Sequence, residues 1–357
     1  LNNKATFQPA KGRAALSNRE GRFESLAREA EDDGWGEFEL PTAPRRTTVH
    51  VDASRTVISR NESPDIPFNQ SINPYRGCEH GCIYCYARPT HAYLGLSPGL
   101  DFETKLFAKP DAAELLRAEI NRPNYRCEAI AMGTNTDPYQ PIERKMKITR
   151  GIIEVLAQHR HPLTFTTKSA LIERDIDLLS GMAADNLVTV YISITTMDND
   201  LARCMEPRAA APKRRLKTVE RLRAAGIPTG VLVAPVIPAL NDSELESILE
   251  KAAAAGAQSA GYILLRLPGE VSALFQEWLG EMYPLKASHV MSLVRATRGG
   301  RDNDPNFGAR MRGQGEVAHL INRRFTVARR RLGLDKGLPR VDATKFRPAR
   351  GGQEPLF

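Results

Sequence analysis

No stretch of the 357-residue sequence approaches the roughly 18 consecutive apolar residues of a membrane span, and the longest apolar runs, such as 230–240, are interrupted by prolines. Cysteine is scarce: five residues, too few and too clustered for the disulfide framework of a secreted protein. None occurs in residues 1–77 and none after Cys204. Residues 1–13 are polar and basic and lack the apolar core of a signal peptide. Leu1 is not an initiator methionine, so the sequence is expected to begin inside a longer chain. What remains is 41% hydrophobic and 26% charged, an ordinary globular balance able to bury a sizeable core. A soluble cytoplasmic protein, with no membrane contact, is the expectation.

Charge is unevenly spread. Residues 283–357 carry 16 Lys/Arg against 6 Asp/Glu, whereas the rest carries 34 against 36. A basic end on a neutral body suggests either a polyanion partner at that end or a solvated basic tail.

Residues 1–70 show little sustained periodicity beyond a short amphipathic helix at 22–32 and a β-prone run at 47–59, and are read as an N-terminal arm. From 71 the pattern becomes regular. Strand-sized apolar runs at 129–133, 163–167, 187–195, 229–235 and 261–267 alternate with helical patterns at 111–121, 148–159, 171–182, 213–225 and 242–255. Asn241 and Asp242 are expected to open one helix, and Gly226 and Gly256 to close two others. With 71–77 as the first strand and 271–282 as the last helix, six βα units cover 71–282. Near-continuous apolar strands alternating with helices indicate a parallel sheet buried on both faces. The expected fold is therefore α/β: a partial (β/α)6 barrel at 71–282, short of the eight-fold closed form. A basic C-terminal extension at 283–346, with a helix at 316–332, and a flexible tail at 347–357 follow.

The chemistry-bearing segment is Cys78-Glu79-His80-Gly81-Cys82-Ile83-Tyr84-Cys85, a C-x3-C-x2-C run directly after the first strand. Three thiolates this close can hold metal. Zinc would require a fourth ligand, from His80 or His91. An iron–sulfur cluster can instead leave one iron without a protein ligand, open to a small-molecule chelate.

A C-x3-C-x2-C run with an aromatic before the third cysteine resembles the signature of the radical S-adenosylmethionine superfamily. The resemblance implies a [4Fe–4S] cluster on Cys78, Cys82 and Cys85, with the methionyl amine and carboxylate of S-adenosylmethionine on the fourth iron. One-electron reduction then yields methionine and a 5′-deoxyadenosyl radical that abstracts hydrogen from substrate. An electron donor such as flavodoxin or ferredoxin is also implied. Within the superfamily, CIYCY at 82–86, FTTK at 165–168, SIT at 193–195, Glu206-Pro207 and VAP at 233–235 resemble, in order, the spore photoproduct lyase-like branch. Segments 12–23 and 302–314 have no counterpart there and look like the flanks of a related bacterial family.

Carried over position by position, the resemblance puts Lys168 near the cofactor carboxylate and Ser193 and Ala234 at cofactor-contacting strand ends. Asn135 or Asp137, in the TNTD loop, would reach the ribose. Tyr84 and Tyr86 would lie beside the cluster, relaying a hydrogen atom or packing. The lyase's hydrogen-donor cysteine is missing: Met132 and Gly133 stand in its place. Cys127 and Cys204 are the remaining thiols, either substitute donors or inert small hydrophobes.

Damaged or modified DNA is the substrate class the resemblance favours, with phosphate contacts expected from Arg323, Arg324, Arg329, Arg330 and Arg331. Radical modification of RNA or a peptide is the first alternative; a non-enzymatic zinc module on nucleic acid is the second. The final Gln353-Glu354-Pro355-Leu356-Phe357 resembles the Q-x-x-L-F peptide that docks on the bacterial DNA sliding clamp, with Gln353, Leu356 and Phe357 as anchors.

Overall fold

The computed structural model describes residues 12–23 and 46–349. Six strands form its centre: β1 (Gln70–Ile72), β2 (Ile130–Met132), β3 (Leu163–Thr167), β4 (Val188–Ser193), β5 (Thr229–Val236) and β6 (Ala260–Leu264). They pair in parallel in chain order. The β-branched and apolar strand residues explain this, because a parallel strand is covered on both faces and has no solvent side to reward polar alternation. Helices α1 (Ala112–Ile120), α2 (Ile148–Gln158), α3 (Ile176–Ala184), α4 (Pro212–Ala224), α5 (Leu245–Ala254) and α6 (Val271–Met282) supply the cover.

Local sequence accounts for the element boundaries. On α2, Ile148, Ile152, Val155 and Leu156 repeat at helical spacing and are buried, each contributing about 1.5–3 kcal/mol where burial is complete. Gly226 (φ +77°) and Gly256 (φ +88°) follow α4 and α5 in the left-handed conformation, as expected of helix-closing glycines. Asn241 and Asp242 do open a helical turn, Asp242–Glu244, that leads into α5, with Asn241 at its N-cap position but without a side-chain cap bond. The Asn241 side chain goes to the Thr195 and Pro235 carbonyls and the Ile237 amide, pinning the β5 exit.

The sheet is open. A short strand, Ile58–Arg60, pairs antiparallel outside β1, and among the described residues no strand joins β6 to close the ring. An exposed sheet edge invites unwanted pairing. Here α7 (Ala287–Ala296) and α8 (Gly315–Arg331) follow α6, and α8 covers β6. Phe325 packs on Tyr262 with ring centroids 4.6 Å apart, and the Tyr262 hydroxyl donates to Asn322 Oδ1 at 3.1 Å. Upstream, Thr48–Val51 pairs in parallel with Lys105–Ala108, and residues 13–15 are buried against the loop after β1.

Candidate functional site at the barrel mouth

In a parallel barrel the loops after the strands gather at one end, and chemistry collects there. The cysteine loop follows β1 at that end. Cys78 and Cys82 are buried, Cys85 half-buried, and all three thiols are free. Tight turns shape the loop: the Gly81 amide donates to the Cys78 carbonyl at 3.2 Å and the Cys85 amide to the Cys82 carbonyl at 3.1 Å. Gly81 has φ +65°, and a Cβ there would lie 2.7 Å from Glu103 Oε2.

Arg88 fastens this loop. Its guanidinium, wholly buried, donates to the carbonyls of Cys82, Gly81, Pro98 and Gly99 and to the Glu103 carboxylate, using all five N–H donors. Glu103 also accepts the Ala14 and Ala15 amides. Lysine keeps the charge but offers three donors at one point. Arg88→Lys should therefore leave at least two buried acceptors bare, costing about 2 kcal/mol or more, and lower the iron retained through gel filtration after reconstitution. Wild-type stability and iron content in that variant would contradict the role assigned to Arg88.

Burial pushes the Cys82 thiol up to about 12, and raises Cys78 and Cys85 as well. The carboxylates of Asp137 and Glu206 push Cys78 and Cys82 further in the same direction, while Lys168 opposes the shift at Cys82 and Cys85. Thiolates at these positions thus call for bound cationic metal, and soft sulfur donors suit iron–sulfur centres. No three His, Cys, Asp or Glu side chains among the described residues converge on a point suited to one ion. A single zinc ion needs such a point, whereas a cubane cluster takes each thiolate on a different iron. Of the candidate zinc ligands, His91 Nε2 lies 2.9 Å from the Lys105 carbonyl and His80 Nδ1 lies 3.3 Å from Asp137 Oδ2, and neither joins the cysteines in a set converging on one point among the described residues. The residues present fit a cluster.

Beside the cysteines stands a buried polar group. Glu206 accepts from Tyr84, from Thr195 Oγ1 at 2.6 Å and from Arg215. Despite burial, Arg215, then Lys168 and the two hydroxyls, hold Glu206 down at about 2. Burial and the nearby Cys82 and Glu206 charges raise Tyr84 far above the usual phenol range, so it stays protonated. Lys168, directly after β3, places Nζ 5.9 Å from the centroid of the Tyr84 ring. Ser193 ends β4 with Oγ 3.3 Å from the Ala234 carbonyl, and its own carbonyl accepts from Arg215. The structure thus brings together Cys78, Cys82, Cys85, Tyr84 and Lys168, with Ser193 and Ala234 on the neighbouring strand ends.

The Radical SAM superfamily model matches residues 72–252, half of the chain. The chain belongs to the radical SAM superfamily. Its cofactors are therefore a [4Fe–4S] cluster and S-adenosylmethionine. A Mycobacterium tuberculosis protein of unassigned function is 41% identical over 232 residues, spanning 64% of this chain and 68% of that protein. A Methanocaldococcus jannaschii protein, also without assigned function, is 28% identical over 173 residues, 48% of this chain and 62% of that one. Among solved structures, a spore photoproduct lyase mutant superposes with a TM-score of 0.57 at 16% identity, covering 80% of this chain and 79% of that one. At that identity the likeness speaks to the fold.

The structure places the other expected site residues of this radical SAM chain as follows. Asp137 is committed to protein: its carboxylate accepts from Thr167 Oγ1 (2.7 Å), the Lys168 amide (2.8 Å) and the Tyr139 amide (2.9 Å), beside His80. It accepts the Lys168 amide and so fixes the backbone there; Asn135, on the same loop, is exposed. Cys127 precedes β2 and so lies at the far end of the barrel, where the neighbouring Arg126 carbonyl accepts from Gln70 at the start of β1. Cys204 is on the mouth side, packed against the apolar cluster containing Cys82, Ile83 and Tyr84. Met132 is buried in the core, and a Cβ on Gly133 (φ +89°) would fall 1.9 Å from the Thr166 carbonyl.

The arginine row on α8 is mostly spent internally. Arg324 pairs with Asp242 and Glu246, Arg331 pairs with Glu250, and Arg329 donates to the Leu334 and Asp335 carbonyls. Arg323 and Arg330 are exposed, without a carboxylate partner among the described residues. Tyr86 is 46% exposed, with its hydroxyl on the Thr134 carbonyl. The clamp-like anchors Gln353, Leu356 and Phe357, and most of the helix expected at 22–32, lie outside the described residues. Sequence reasoning missed Arg88, Glu103 and Arg215 altogether, and gave Glu206 no role. Their signal, charged residues inside apolar βα units, becomes readable only once partners distant in sequence are known.

Proposed function

We propose that Cys78, Cys82 and Cys85 hold the [4Fe–4S] cluster and that the enzyme acts on damaged or modified DNA bases. When bound, the cluster and S-adenosylmethionine supply a 5′-deoxyadenosyl radical by one-electron reductive cleavage. The observation that carries the site assignment is the position of three free thiols, two buried and one half-buried, on the loop after β1, with the Lys168 charge acting on Cys82 and Cys85. In this reading Lys168 binds the methionyl carboxylate as a charge pair, while the β4 and β5 ends at Ser193 and Ala234 align the cofactor. Asn135 is the polar side chain left on the β2 loop to meet the ribose. Tyr84, fixed as a hydrogen-bond donor to Glu206, keeps a neutral phenol beside the cluster. Cys204 is the thiol left on the mouth side as a hydrogen donor. A flavodoxin or ferredoxin is the electron donor in this reading.

What supports DNA is the likeness of the mouth motifs to the photoproduct lyase branch and the basic C-terminal extension. A base inside a duplex would have to be extruded to reach the mouth. The test is anaerobic incubation of the reconstituted enzyme with irradiated DNA, followed by mass spectrometry of the released nucleosides. Loss of an altered pyrimidine dimer is expected; turnover confined to RNA or to a peptide would overturn the substrate while leaving the cluster assignment standing. Among the described residues, no helix is long and apolar enough to cross a membrane.

A further inference from the structure

The open side of the barrel, between β6 and β1, is bridged by arginines. Arg266, two residues beyond β6, places its guanidinium carbon 5.5 Å from the centroid of the Tyr86 ring, a cation–π contact, and Tyr86 belongs to the loop after β1. Arg310, from the C-terminal extension, holds Asp65, which precedes β1, and lies 4.7 Å over the ring of Phe307. Arg298, 1% exposed, ties the two together by donating to the carbonyls of Leu264, Leu265, Ala309 and Arg310. Three guanidinium groups therefore crowd one rim.

They are not equally satisfied. Arg310 has the Asp65 carboxylate, and Arg298 has four carbonyls. The one polar contact of Arg266 among the described residues is Nη1 to the Met311 sulfur at 3.7 Å, and its buried Nε has no partner. Burial, then the Arg310 charge, lowers Arg266; burial, then the Arg266 charge, lowers Arg298 to about 10. Among the described residues no carboxylate lies in direct contact with this cation. The Tyr86 ring on one side holds the guanidinium in place, and Nη2, with no partner among the described residues, is left to donate to an oxyanion. Next to it, Phe307 is 59% exposed, offering an aromatic surface of the kind on which bases stack.

We propose that Arg266 is a phosphate-binding residue for the DNA strand, set at the lateral opening of the barrel, with Tyr86 and Phe307 as its aromatic flanks. The proposal rests on the reading of DNA as substrate and specifies where its backbone crosses. On α8, Arg324 and Arg331 already face carboxylates, so in this proposal that row is not the principal phosphate contact.

The test is fluorescence anisotropy with a short labelled single-stranded oligonucleotide, titrated at several salt concentrations against the reconstituted protein. Arg266→Gln should weaken binding about threefold to tenfold and reduce the slope of log affinity against log salt by about 0.7, one phosphate contact on a single strand. Arg266→Lys should bind more weakly than wild type, having lost the guanidinium contact with Tyr86, yet retain the wild-type slope because its charge remains. Phe307→Ala should weaken binding without changing the slope. Wild-type affinity and slope in Arg266→Gln, or a reduced slope in Arg266→Lys, would overturn the subsite and leave the DNA reading intact. A wild-type protein that fails to bind the oligonucleotide at any salt, or that prefers the matching RNA, would overturn the DNA reading itself and this proposal with it.

Discussion

Cys82→Ala is expected to cut iron after anaerobic reconstitution from about four per chain to below about one, and to abolish 5′-deoxyadenosine formation. The loop explains the size of the effect. Arg88 and the Cys85 amide both bind the Cys82 carbonyl, so the backbone is fixed and no neighbouring sulfur can swing into the vacated place. Two thiolates cannot hold three corners of a cluster. Cys78→Ala and Cys85→Ala should behave alike. Cys127→Ala is the matched control, since Cys127 lies before β2 at the opposite end of the barrel, and its iron content should equal wild type. Iron retained in Cys82→Ala, or lost in Cys127→Ala, would contradict the placement of the site.

Arg215→Met should destabilise the protein by about 3–5 kcal/mol, the cost of stranding a buried charge. Both members of the Arg215–Glu206 pair are almost wholly enclosed. Glu206 then keeps only the Tyr84 and Thr195 hydroxyls and the more distant Lys168 charge. Urea unfolding at neutral pH measures the loss; an unchanged midpoint would contradict it. Titration gives a second reading of the same pair. Glu206 is depressed in the folded protein to about 2. A depressed carboxyl contributes stability that is complete above its unfolded value of about 4.3 and disappears as pH falls through the folded value. Acid unfolding of the native protein should therefore include a contribution on the order of 3 kcal/mol lost between about pH 4.5 and about 2. In Glu206→Gln that contribution should be missing.

The alternation of β1–β6 with α1–α6 was legible because each unit has to be apolar along its whole strand and amphipathic along its helix, and those constraints are local. The same holds for Gly226 and Gly256, whose left-handed backbone is a single-residue requirement. The cysteine loop was legible from spacing alone. Its fastening was not, since Arg88 and Glu103 are fifteen residues apart and both look like ordinary charged positions. The pairing of the α8 arginines was illegible for a related reason: Arg324 and Arg331 meet Glu246 and Glu250 about eighty residues upstream, and local pattern does not reveal which acids face a helix. Cys127 carried a signal that strand direction makes readable. A residue just before a parallel strand belongs to the end opposite the one where the first cysteine loop lies. Asn241 shows the limit of cap statistics, its amide being drawn off by the carbonyls of Thr195 and Pro235.

The most direct measurement is anaerobic reconstitution of the native chain with iron and sulfide, followed by dithionite and S-adenosylmethionine, with metal analysis and chromatography of the products. About four irons per chain and accumulation of 5′-deoxyadenosine, both lost in Cys82→Ala, are the results predicted for a cluster held by Cys78, Cys82 and Cys85. Stoichiometric zinc, or a cluster that survives loss of any of the three cysteines, with no cleavage of S-adenosylmethionine, would contradict it.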